Sequence, residues 1–337
     1  MKASRKLLLT GILFLFPALF FGGCESMDDA FDQNRKIRRG VNIIGYDQIW
    51  SSFEQARFKE KHFKLLKQAR FDSVRINLHP FKHMDKNKNF ALSSHWLEVL
   101  DWAITNALKN NLAVILDLHE FNAMGDDPKG TKKLFLAFWN QLAELYKDAP
   151  AEVIFEILNE PCRGITPKLW NDYMRQALAI IRQSNPNRTV VIGPAHWNGI
   201  DHLDELKLPR NDRNIIATIH YYKPMNFTHQ GASWAEPYKD KIGIKWLGTD
   251  KEKQNILSDF TKAQAWSKKH KRPLLLGEFG VFDKAQMDSR TRYLNFITQS
   301  AERYGWSWAY WQFDNDFILY DIDNDKWNQH IRDALIP

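Results

Sequence analysis

Residues 153–161 read VIFEILNEP, and this stretch says most about the fold. Its first six residues form an apolar run with one acid inside it, and Asn-Glu-Pro closes the run. Nearly continuous apolar runs, unlike alternating ones, predict strands buried on both faces, as in a parallel sheet. Similar runs occur elsewhere, including VILDL at 114–118 and LLLG at 274–277. The chain is therefore predicted to fold around a parallel sheet.

Eight strand-like runs can be counted, and amphipathic stretches separate them. Apolar residues recur with a period near 3.6 within 58–69, 96–107 and 134–145, which predicts helices there. Further helices are predicted at 167–184, 254–270 and 286–304, and the fifth crossover, near 199–206, is short. The predicted strands are 39–44, 73–78, 113–119, 153–159, 189–193, 215–220, 273–279 and 306–311.

Alternation of eight strands with helices over about 300 residues predicts an α/β fold, a single (β/α)8 TIM barrel. We place this domain at 37–337. A doubly wound open sheet is the alternative. The sequence contains neither G-x-G-x-x-G nor G-x-x-x-x-G-K-[ST], so no phosphate-binding loop supports that alternative.

The amino terminus is predicted to direct export. Residues 1–23 combine three basic residues, a 15-residue apolar run at 7–21 and Gly22-Gly23, as in a signal peptide. The following Cys24 resembles the lipid-bearing residue of bacterial lipoproteins, and polar residues 24–36 are predicted as a tether. Plain secretion and an uncleaved anchor are the alternatives. We expect an exported cell-envelope lipoprotein or secreted protein that meets the membrane only through a lipid anchor.

Composition excludes several function classes. The 337 residues carry a formal net charge of +7, with 44% hydrophobic and 26% charged residues, which is typical of a globular protein. This charge is small and spread along the chain, whereas nucleic-acid binders concentrate a larger basic excess. A peptidase or esterase of the α/β-hydrolase type would need a G-x-S-x-G motif, which the sequence lacks.

Polar and aromatic residues stand at or just beyond the ends of the predicted strands. In a barrel of this type, the carboxyl ends of the strands and their following loops form the active site. These residues are therefore expected to converge on one rim. They are Arg75, His119, Asn159, Glu160, Trp197, His220, Tyr222, Glu278 and Trp311.

Glu160 and Glu278 form the most informative pair. They are 118 residues apart, on the fourth and seventh strands, which lie on roughly opposite sides of a barrel. Two carboxyl groups about 5–5.5 Å apart support retaining glycoside hydrolysis, and about 6.5–9.5 Å supports inversion. One must stay protonated while the other is ionised, so their surroundings must separate their pKa values. A cation such as Arg75 would favour the ionised form of one of them.

The ordered motifs resemble glycoside hydrolase family 5, the cellulase family. Glu160 lies in I-L-N-E-P and Glu278 in L-G-E-F-G, and the likeness covers residues 39–337. The other matching motifs are R-G-V-N at 39–42, V-R-I at 74–76, D-L-H at 117–119, H-Y-Y at 220–222, F-T-H-Q-G-A-S-W at 227–234 and W-A-Y-W at 308–311.

The resemblance implies a retaining mechanism without a metal. Glu160 matches the family's acid/base and Glu278 its nucleophile, while Asn159 matches the residue that binds the sugar 2-hydroxyl. Arg75 and Tyr222 match groups that hold the nucleophile. The remaining matches are His119 and His220, the paired histidines of the cleft, and Trp311, the platform beneath the sugar.

Tryptophans in predicted post-strand loops are candidates for sugar contact, because a flat indole covers the apolar face of a sugar ring. They are Trp50, Trp197, Trp234, Trp246 and Trp311. No metal or other cofactor is expected: His119-Glu120 begins like H-E-x-x-H, but Ala123 stands where the second histidine is required. Cys162 is predicted to be a buried, inert thiol.

These observations predict an endo-β-1,4-glucanase that acts as a monomer on a polysaccharide, with β-glucan as substrate and no nucleic-acid partner. A β-mannanase or another β-glucanase of the same family is the alternative. A non-catalytic glycan-binding lipoprotein is an alternative of another class, although binding alone would not need Glu160 and Glu278.

Overall fold

Eight parallel strands close into a barrel in the computed structural model, which describes residues 29–337. The predicted signal peptide, Cys24 and the start of the predicted tether lie outside the described residues. Numbered in chain order, the barrel strands are β1 (Arg39–Ile43), β2 (Ser73–Leu78), β3 (Ala113–Leu118), β4 (Val153–Glu156), β5 (Val190–Ile192), β6 (Ile215–His220), β7 (Leu274–Glu278) and β8 (Ser307–Tyr310).

Closure of the sheet confirms the predicted barrel over the open alternative. Each strand pairs with the next in the chain, and β8 pairs in parallel with β1, where Arg39 lies opposite Trp308 and Val41 opposite Tyr310. Almost every strand residue is buried, because side chains fill the interior on one face and helices cover the other. All eight predicted strands are present, with ends that differ by at most three residues.

Helices surround the barrel where the 3.6-residue patterns predict them. The fifth crossover is a 3₁₀ helix, Ile200–Glu205, as its short sequence suggests. The long helix before β7 starts at a capping box, in which Thr249 and Glu252 each accept from the other's backbone N–H. The principal helices are Glu60–Gln68, Ser94–Lys109, Pro128–Leu145, Pro167–Ser184, Asp250–His270, Met287–Arg303 and Gln329–Leu335.

Shorter elements decorate the loops. Two antiparallel two-residue ladders pair Met84–Asp85 with Ala91–Leu92 and Tyr320–Asp321 with Lys326–Trp327. The remaining helical turns are Gln48–Trp50, Phe53–Gln55, Phe81–His83, Lys86–Lys88, Phe121–Asp126 and Met225–Thr228. In the described part of the chain, no helix is both long and apolar enough to cross a bilayer.

A helix at Ala30–Ile37 replaces much of the tether predicted at 24–36. Its buried residues are Ala30, Gln33, Asn34 and Ile37, the spacing of one helical face. Two of these four residues are polar, so the sequence lacks the apolar repeat of 3.6 residues from which the other helices were predicted. Asn34 accepts a hydrogen bond from the Ser307 hydroxyl at 2.6 Å, which satisfies its amide oxygen in the interior.

This amino-terminal helix closes the end of the barrel at which the strands begin. Ala30 and Ile37 pack with interior residues Ala113, Ile115 and Ile154. The Ile37 carbonyl also accepts from the Ser73 hydroxyl at 2.6 Å, and Ser73 is the first residue of β2. The opposite end, where the strands finish, is left for the polar residues.

Candidate active site

The seven predicted polar residues come together at the carboxyl ends of the strands. Hydrogen bonds and ion pairs join them into one buried network. It connects Arg75, His119, Asn159, Glu160, His220, Tyr222 and Glu278. The interior face of β2, which carries Arg75, and the end of β7, which carries Glu278, thus meet in the centre of the mouth.

His220 lies between the two key carboxylates. Its Nδ1 is 2.7 Å from Glu160 Oε1 and 3.5 Å from Glu278 Oε2. One oxygen from each glutamate and the histidine nitrogen all lie within 4.8 Å of one another. The carboxylates therefore face each other across a gap that a single sugar linkage can occupy, and by distance alone the three groups could also hold a divalent ion.

Arg75 holds Glu278 from inside the barrel. Its Nη1 donates to Glu278 Oε1 at 2.9 Å, and its Nη2 donates to Asn159 Oδ1 at 2.7 Å. Below them, Glu156 on β4 accepts from Arg75 Nε at 2.6 Å and from Nη2 at 2.9 Å. Since Nη1 also donates to Asn42 Oδ1, all five N–H groups of the guanidinium have partners.

The two key carboxylates have unequal surroundings. Burial raises the pKa of Glu160 to about 8; Arg75 opposes this, and the charges of Asp117 and Glu156 add to it. Burial also raises the pKa of Glu278, to about 7, but here both His220 and Arg75 lower it. Because only Glu278 receives a hydrogen bond from Arg75, Glu160 keeps its proton to a higher pH.

Each cleft histidine has a defined tautomer. Asn198 Nδ2 donates to His220 Nε2 at 3.2 Å, so the His220 proton is on Nδ1 and points at Glu160. His119 Nδ1 donates to Asp117 Oδ2 at 2.6 Å, which leaves Nε2 facing the Asn159 amide. Burial lowers the pKa of both rings, which favours the neutral form in which each nitrogen has a single role.

Tyr222 completes the setting of Glu278. Its hydroxyl donates to Glu278 Oε2 at 3.0 Å, so Glu278 is held at one oxygen by Arg75 and at the other by Tyr222. Burial, followed by the charges of Glu278 and Glu160, raises the pKa of the Tyr222 hydroxyl well above its usual value. Tyr222 therefore keeps its hydroxyl proton, and can donate it in a hydrogen bond, well beyond neutral pH.

Aromatic residues line the mouth, but only some of the predicted ones do so. Trp311 stacks on His119 with ring centroids 5.5 Å apart and planes 10° apart, and its edge faces Tyr46. Trp197 and Trp234 are exposed on post-strand loops, at 47% and 53%.

Two of the predicted sugar-contact tryptophans are buried, and only Trp50 among them also lines a cleft at the barrel mouth. Trp50 is almost wholly buried, stacks on Trp96 and donates its indole N–H to the Ile44 carbonyl. Trp246 is buried against Tyr293. Both tryptophans lie in loops, but these loops pack against helices, so the two side chains are not exposed to solvent.

A cleft of about 630 Å³ opens beside the carboxylates. Tyr46, His79 and Glu120 line it, and His79 lies edge-on to His119 at a centroid distance of 5.1 Å. Its size and its mixture of aromatic and polar walls are typical of a small-ligand or sugar site. The cleft thus adjoins the His119 side of the polar network.

The comparisons with known proteins agree with this geometry. The model of the family described as Cellulase (glycosyl hydrolase family 5) matches residues 33–317. The chain belongs to this family. A solved family 5 structure, endoglucanase Cel5A from Thermotoga maritima, superposes with a TM-score of 0.86 at 38% identity, covering 91% of this chain and 100% of that one.

Two other relatives are longer than this chain. Endoglucanase H of Acetivibrio thermocellus is 28% identical over 318 residues, which cover 91% of this chain and 33% of that protein. Endoglucanase 3 of Fibrobacter succinogenes is 25% identical over 348 residues, covering 89% of this chain and 52% of that protein. The chain thus spans about a third and about half of these two relatives.

Sequence reasoning missed the lower layer of this family 5 site. Glu156, Asp117, Asn42 and Asn77 are all buried and bond to Arg75 or to its partners. The available signal was a charged residue inside an otherwise apolar run, as in VIFEIL and VILDL. A buried charge is costly unless it is paired, so each such residue predicts a buried partner.

Proposed function

We propose that this family 5 protein is a retaining endo-β-1,4-glucanase, with Glu160 as acid/base and Glu278 as nucleophile. The observation that carries the proposal is the unequal pair: oxygens of Glu160 and Glu278 lie within 4.8 Å of each other, and of these two glutamates only Glu278 accepts hydrogen bonds from Arg75 and Tyr222. A gap this short supports retention, because inversion needs about 6.5–9.5 Å to admit water.

In the first step, a Glu278 oxygen attacks the anomeric carbon as the glycosidic C–O bond breaks. Glu160 gives its proton to the departing oxygen, so that the leaving sugar departs as a neutral alcohol. His220 Nδ1–H donates to Glu160 Oε1, so the acidic proton resides on Oε2. The product of this step is an ester between the sugar and Glu278.

In the second step, water takes the place of the leaving sugar. Glu160, now ionised, accepts a proton from that water, and the resulting hydroxide attacks the anomeric carbon from the same face as the departed group. The bond to Glu278 breaks with its electron pair left on the carboxylate, and hydrogen bonds from Arg75 and Tyr222 stabilise the negative charge that Glu278 regains. Two inversions at one carbon give net retention.

Asn159 is placed to bind the sugar beside the reacting carbon. Its amide oxygen accepts from Arg75 Nη2 at 2.7 Å, which turns the Nδ2 donor toward the open side and His119. A hydrogen bond to the 2-hydroxyl that strengthens in the transition state fits this position. Trp311, stacked on His119, would lie beneath the same ring.

The choice of β-glucan rests on relatives. The similar proteins include several endoglucanases, and the chain is 38% identical to the solved endoglucanase Cel5A. A β-mannanase is the second candidate, because a Cel5A structure 37% identical to this chain was solved with a mannotriose substrate. The two backbones differ in the orientation of one hydroxyl, so a single enzyme with a permissive cleft accepts both.

The test is reducing-end release from carboxymethylcellulose, mixed-linkage glucan, xyloglucan, mannan and laminarin in parallel. We expect hydrolysis of carboxymethylcellulose and mixed-linkage glucan, with a rapid fall in viscosity that marks internal cleavage. Proton NMR of the first product should show the β-anomer before mutarotation. An α-anomer would refute retention, and hydrolysis of none of the five would favour the non-catalytic glycan-binding alternative.

Export and lipidation at Cys24 are part of the proposal and rest on the sequence alone. We expect a Cys24→Ala variant to lose metabolic labelling with palmitate and to leave the membrane fraction, whereas Cys162→Ala should keep both. Cys162 is buried, and burial raises the pKa of its thiol to about 12, so it is unsuited to modification. The protein is proposed to be a monomer, which light scattering after gel filtration would check.

A further inference from the structure

A second cluster of metal-binding side chains lies at the barrel mouth, on the loop after β5. We propose that His196, His202 and Glu205 form a site for a zinc-class divalent ion. One donor atom from each of the three side chains lies within 4.8 Å of the others. Such a site departs from the expectation of a protein without a metal, which rested on the incomplete H-E-x-x-H motif at 119–123.

The 3₁₀ helix Ile200–Glu205 aligns two of the donors. Residues three apart in a 3₁₀ helix are eclipsed, so His202 and Glu205 project from the same side. His202 Nδ1 lies 3.0 Å from Glu205 Oε1. An α-helix at this place would rotate the two side chains apart by about 60°.

The preceding turn supplies the third donor. Gly199 N–H donates to the His196 carbonyl at 3.0 Å, which folds the chain back so that His196 faces the helix. The His196 and His202 rings lie with centroids 4.1 Å apart, and His196 Nε2 is 3.8 Å from Glu205 Oε2. A side chain at Gly199 would press on this turn, since a Cβ there would come within 2.9 Å of the same carbonyl.

The distances and the donor types fit a tetrahedral ion. Zinc–ligand bonds of about 2.0–2.1 Å put neighbouring ligand atoms roughly 3.3 Å apart. His202 Nδ1 is 3.0 Å from one oxygen of Glu205, and His196 Nε2 is 3.8 Å from the other, so small side-chain rotations would bring the donors to that spacing. Two imidazoles and one carboxylate favour Zn²⁺, Co²⁺, Ni²⁺ or Cu²⁺ over Ca²⁺ and Mg²⁺, which prefer oxygen ligands. All three side chains are about 40% exposed, so water can complete the coordination.

An ion here would tie down the segment that enters the active site. Trp197 follows His196 directly, and its N–H donates to the Pro161 carbonyl at 3.2 Å, next to Glu160. Asn198 donates to His220 and to the Asn159 carbonyl. This consequence for catalysis rests on the proposed function, whereas the binding of the ion does not.

Zn²⁺ binding to the purified, tag-free protein tests the site. Isothermal titration should give one Zn²⁺ per chain, and Co²⁺ should give the strong visible absorption of a tetrahedral complex. His202→Ala should weaken Zn²⁺ binding by at least about tenfold, because mutation even of a residue that only hydrogen-bonds to a metal ligand lowers metal affinity by about that factor. Zn²⁺ should raise the melting temperature of the wild type and not of His202→Ala.

Two control variants separate this site from others. His330→Ala removes an exposed histidine elsewhere on the surface and should bind Zn²⁺ like the wild type. Glu278→Gln alters the other possible metal cluster, Glu160, His220 and Glu278, and should also keep the binding. Absence of saturable binding below about 1 mM would overturn the proposal.

Retention of full affinity in His202→Ala, or loss of it in Glu278→Gln alone, would overturn the proposal as well. Because the readouts are stoichiometry, absorption and melting temperature, a negative result would leave the hydrolase assignment untouched. Conversely, a protein that bound Zn²⁺ but hydrolysed none of the five polysaccharides would refute only the assigned activity.

Discussion

Glu156 receives two hydrogen bonds from Arg75, one from Nε at 2.6 Å and one from Nη2 at 2.9 Å, in a part of the barrel that solvent does not reach. This two-point ion pair fixes the plane of the guanidinium. Nη1 is then left to reach Glu278 at 2.9 Å. The position of the proposed nucleophile is thus set from below, by a residue that touches no substrate.

Substitution Glu156→Gln should disturb both stability and titration. Loss of one partner from a buried ion pair costs about 3–5 kcal/mol, and the amide would turn a donor toward Arg75. Since the charge of Glu156 raises the pKa of Glu160, its removal should move the alkaline limb of the pH–rate profile to lower pH. Urea denaturation and the pH dependence of kcat/KM measure the two effects.

Glu302→Gln is the matched control for that substitution. Glu302 forms a similar pair with Arg39, whose Nε lies 2.6 Å from Glu302 Oε1, at the opposite end of the barrel. It is partly exposed, so the loss of stability should be about 1 kcal/mol or less. A shift of the pH–rate profile in this control would contradict an electrostatic effect specific to Glu156.

The pH–rate profile should be a narrow bell with its maximum between about 7 and about 8. In the proposed mechanism, activity requires ionised Glu278, whose pKa is raised to about 7, and protonated Glu160, whose pKa is raised to about 8. Activity should therefore fall on acidification as Glu278 gains a proton, and on alkalinisation as Glu160 loses one. The two limbs report the pair as a unit.

Tyr222→Phe separates the two limbs of that profile. The Tyr222 hydroxyl donates to Glu278 and so favours its ionised form. Its removal should move the acidic limb to higher pH by roughly half a unit to one unit. Movement of the acidic limb to lower pH would show that Glu278 does not control it.

Chemical rescue should distinguish the two glutamates. Glu160→Ala should hydrolyse dinitrophenyl glycosides at its first step, because such a leaving group needs no proton, and azide should then speed the second step. The azide product should have the β configuration. Glu278→Ala should instead give an α-azide, because azide replaces the nucleophile itself. The opposite pattern would exchange the two roles.

Gly277→Ala should impair catalysis through His220. A Cβ at this position would lie 2.5 Å from Thr218 Oγ1 and 3.1 Å from His220 Nε2, closer than side chains ordinarily pack. We expect kcat to fall by at least about tenfold, because displacement of His220 disturbs both carboxylates. The double variant Thr218→Ala/Gly277→Ala should recover part of the loss, and equal kcat in the single and double variants would locate the damage elsewhere.

Trp197→Ala should weaken substrate binding without affecting stability. The Trp197 indole is 47% exposed, so its removal leaves no cavity, and the change in unfolding free energy should stay within about 0.5 kcal/mol. KM for soluble glucan should rise severalfold. Trp246→Ala, in the core, should show the reverse pattern: a loss of about 3–5 kcal/mol in stability. An unchanged KM in Trp197→Ala would remove this residue from the cleft.

The barrel could be predicted from the sequence because its strands are buried on both faces and therefore contain few polar residues. The few that remain at strand ends, such as Glu160 and Glu278, were visible for the same reason. Residues deeper in the runs, Glu156 and Asp117, were equally conspicuous, but their partners depend on register between strands that are distant in sequence.

Other features were outside the reach of periodicity. The helix Ala30–Ile37 buries Gln33 and Asn34, and Asn34 is held in place by a hydrogen bond from Ser307 of the barrel and not by hydrophobicity. Trp246 was assigned to the cleft because it lies in a loop, and only the path of the backbone shows that it faces inward. The cluster of His196, His202 and Glu205 depends on a 3₁₀ helix, and no apolar repeat in the sequence predicts that helix.

The amino-terminal helix also sets how the molecule would stand on a surface. It covers the end of the barrel at which the strands begin, and the cleft opens at the opposite end. A lipid on Cys24 would therefore attach the enzyme to a membrane by the end away from the cleft. Only five residues, 25–29, separate that cysteine from the helix, a reach of at most about 18 Å. An enzyme attached through so short a linker would have its cleft facing the medium, where the polysaccharide is, and not the membrane.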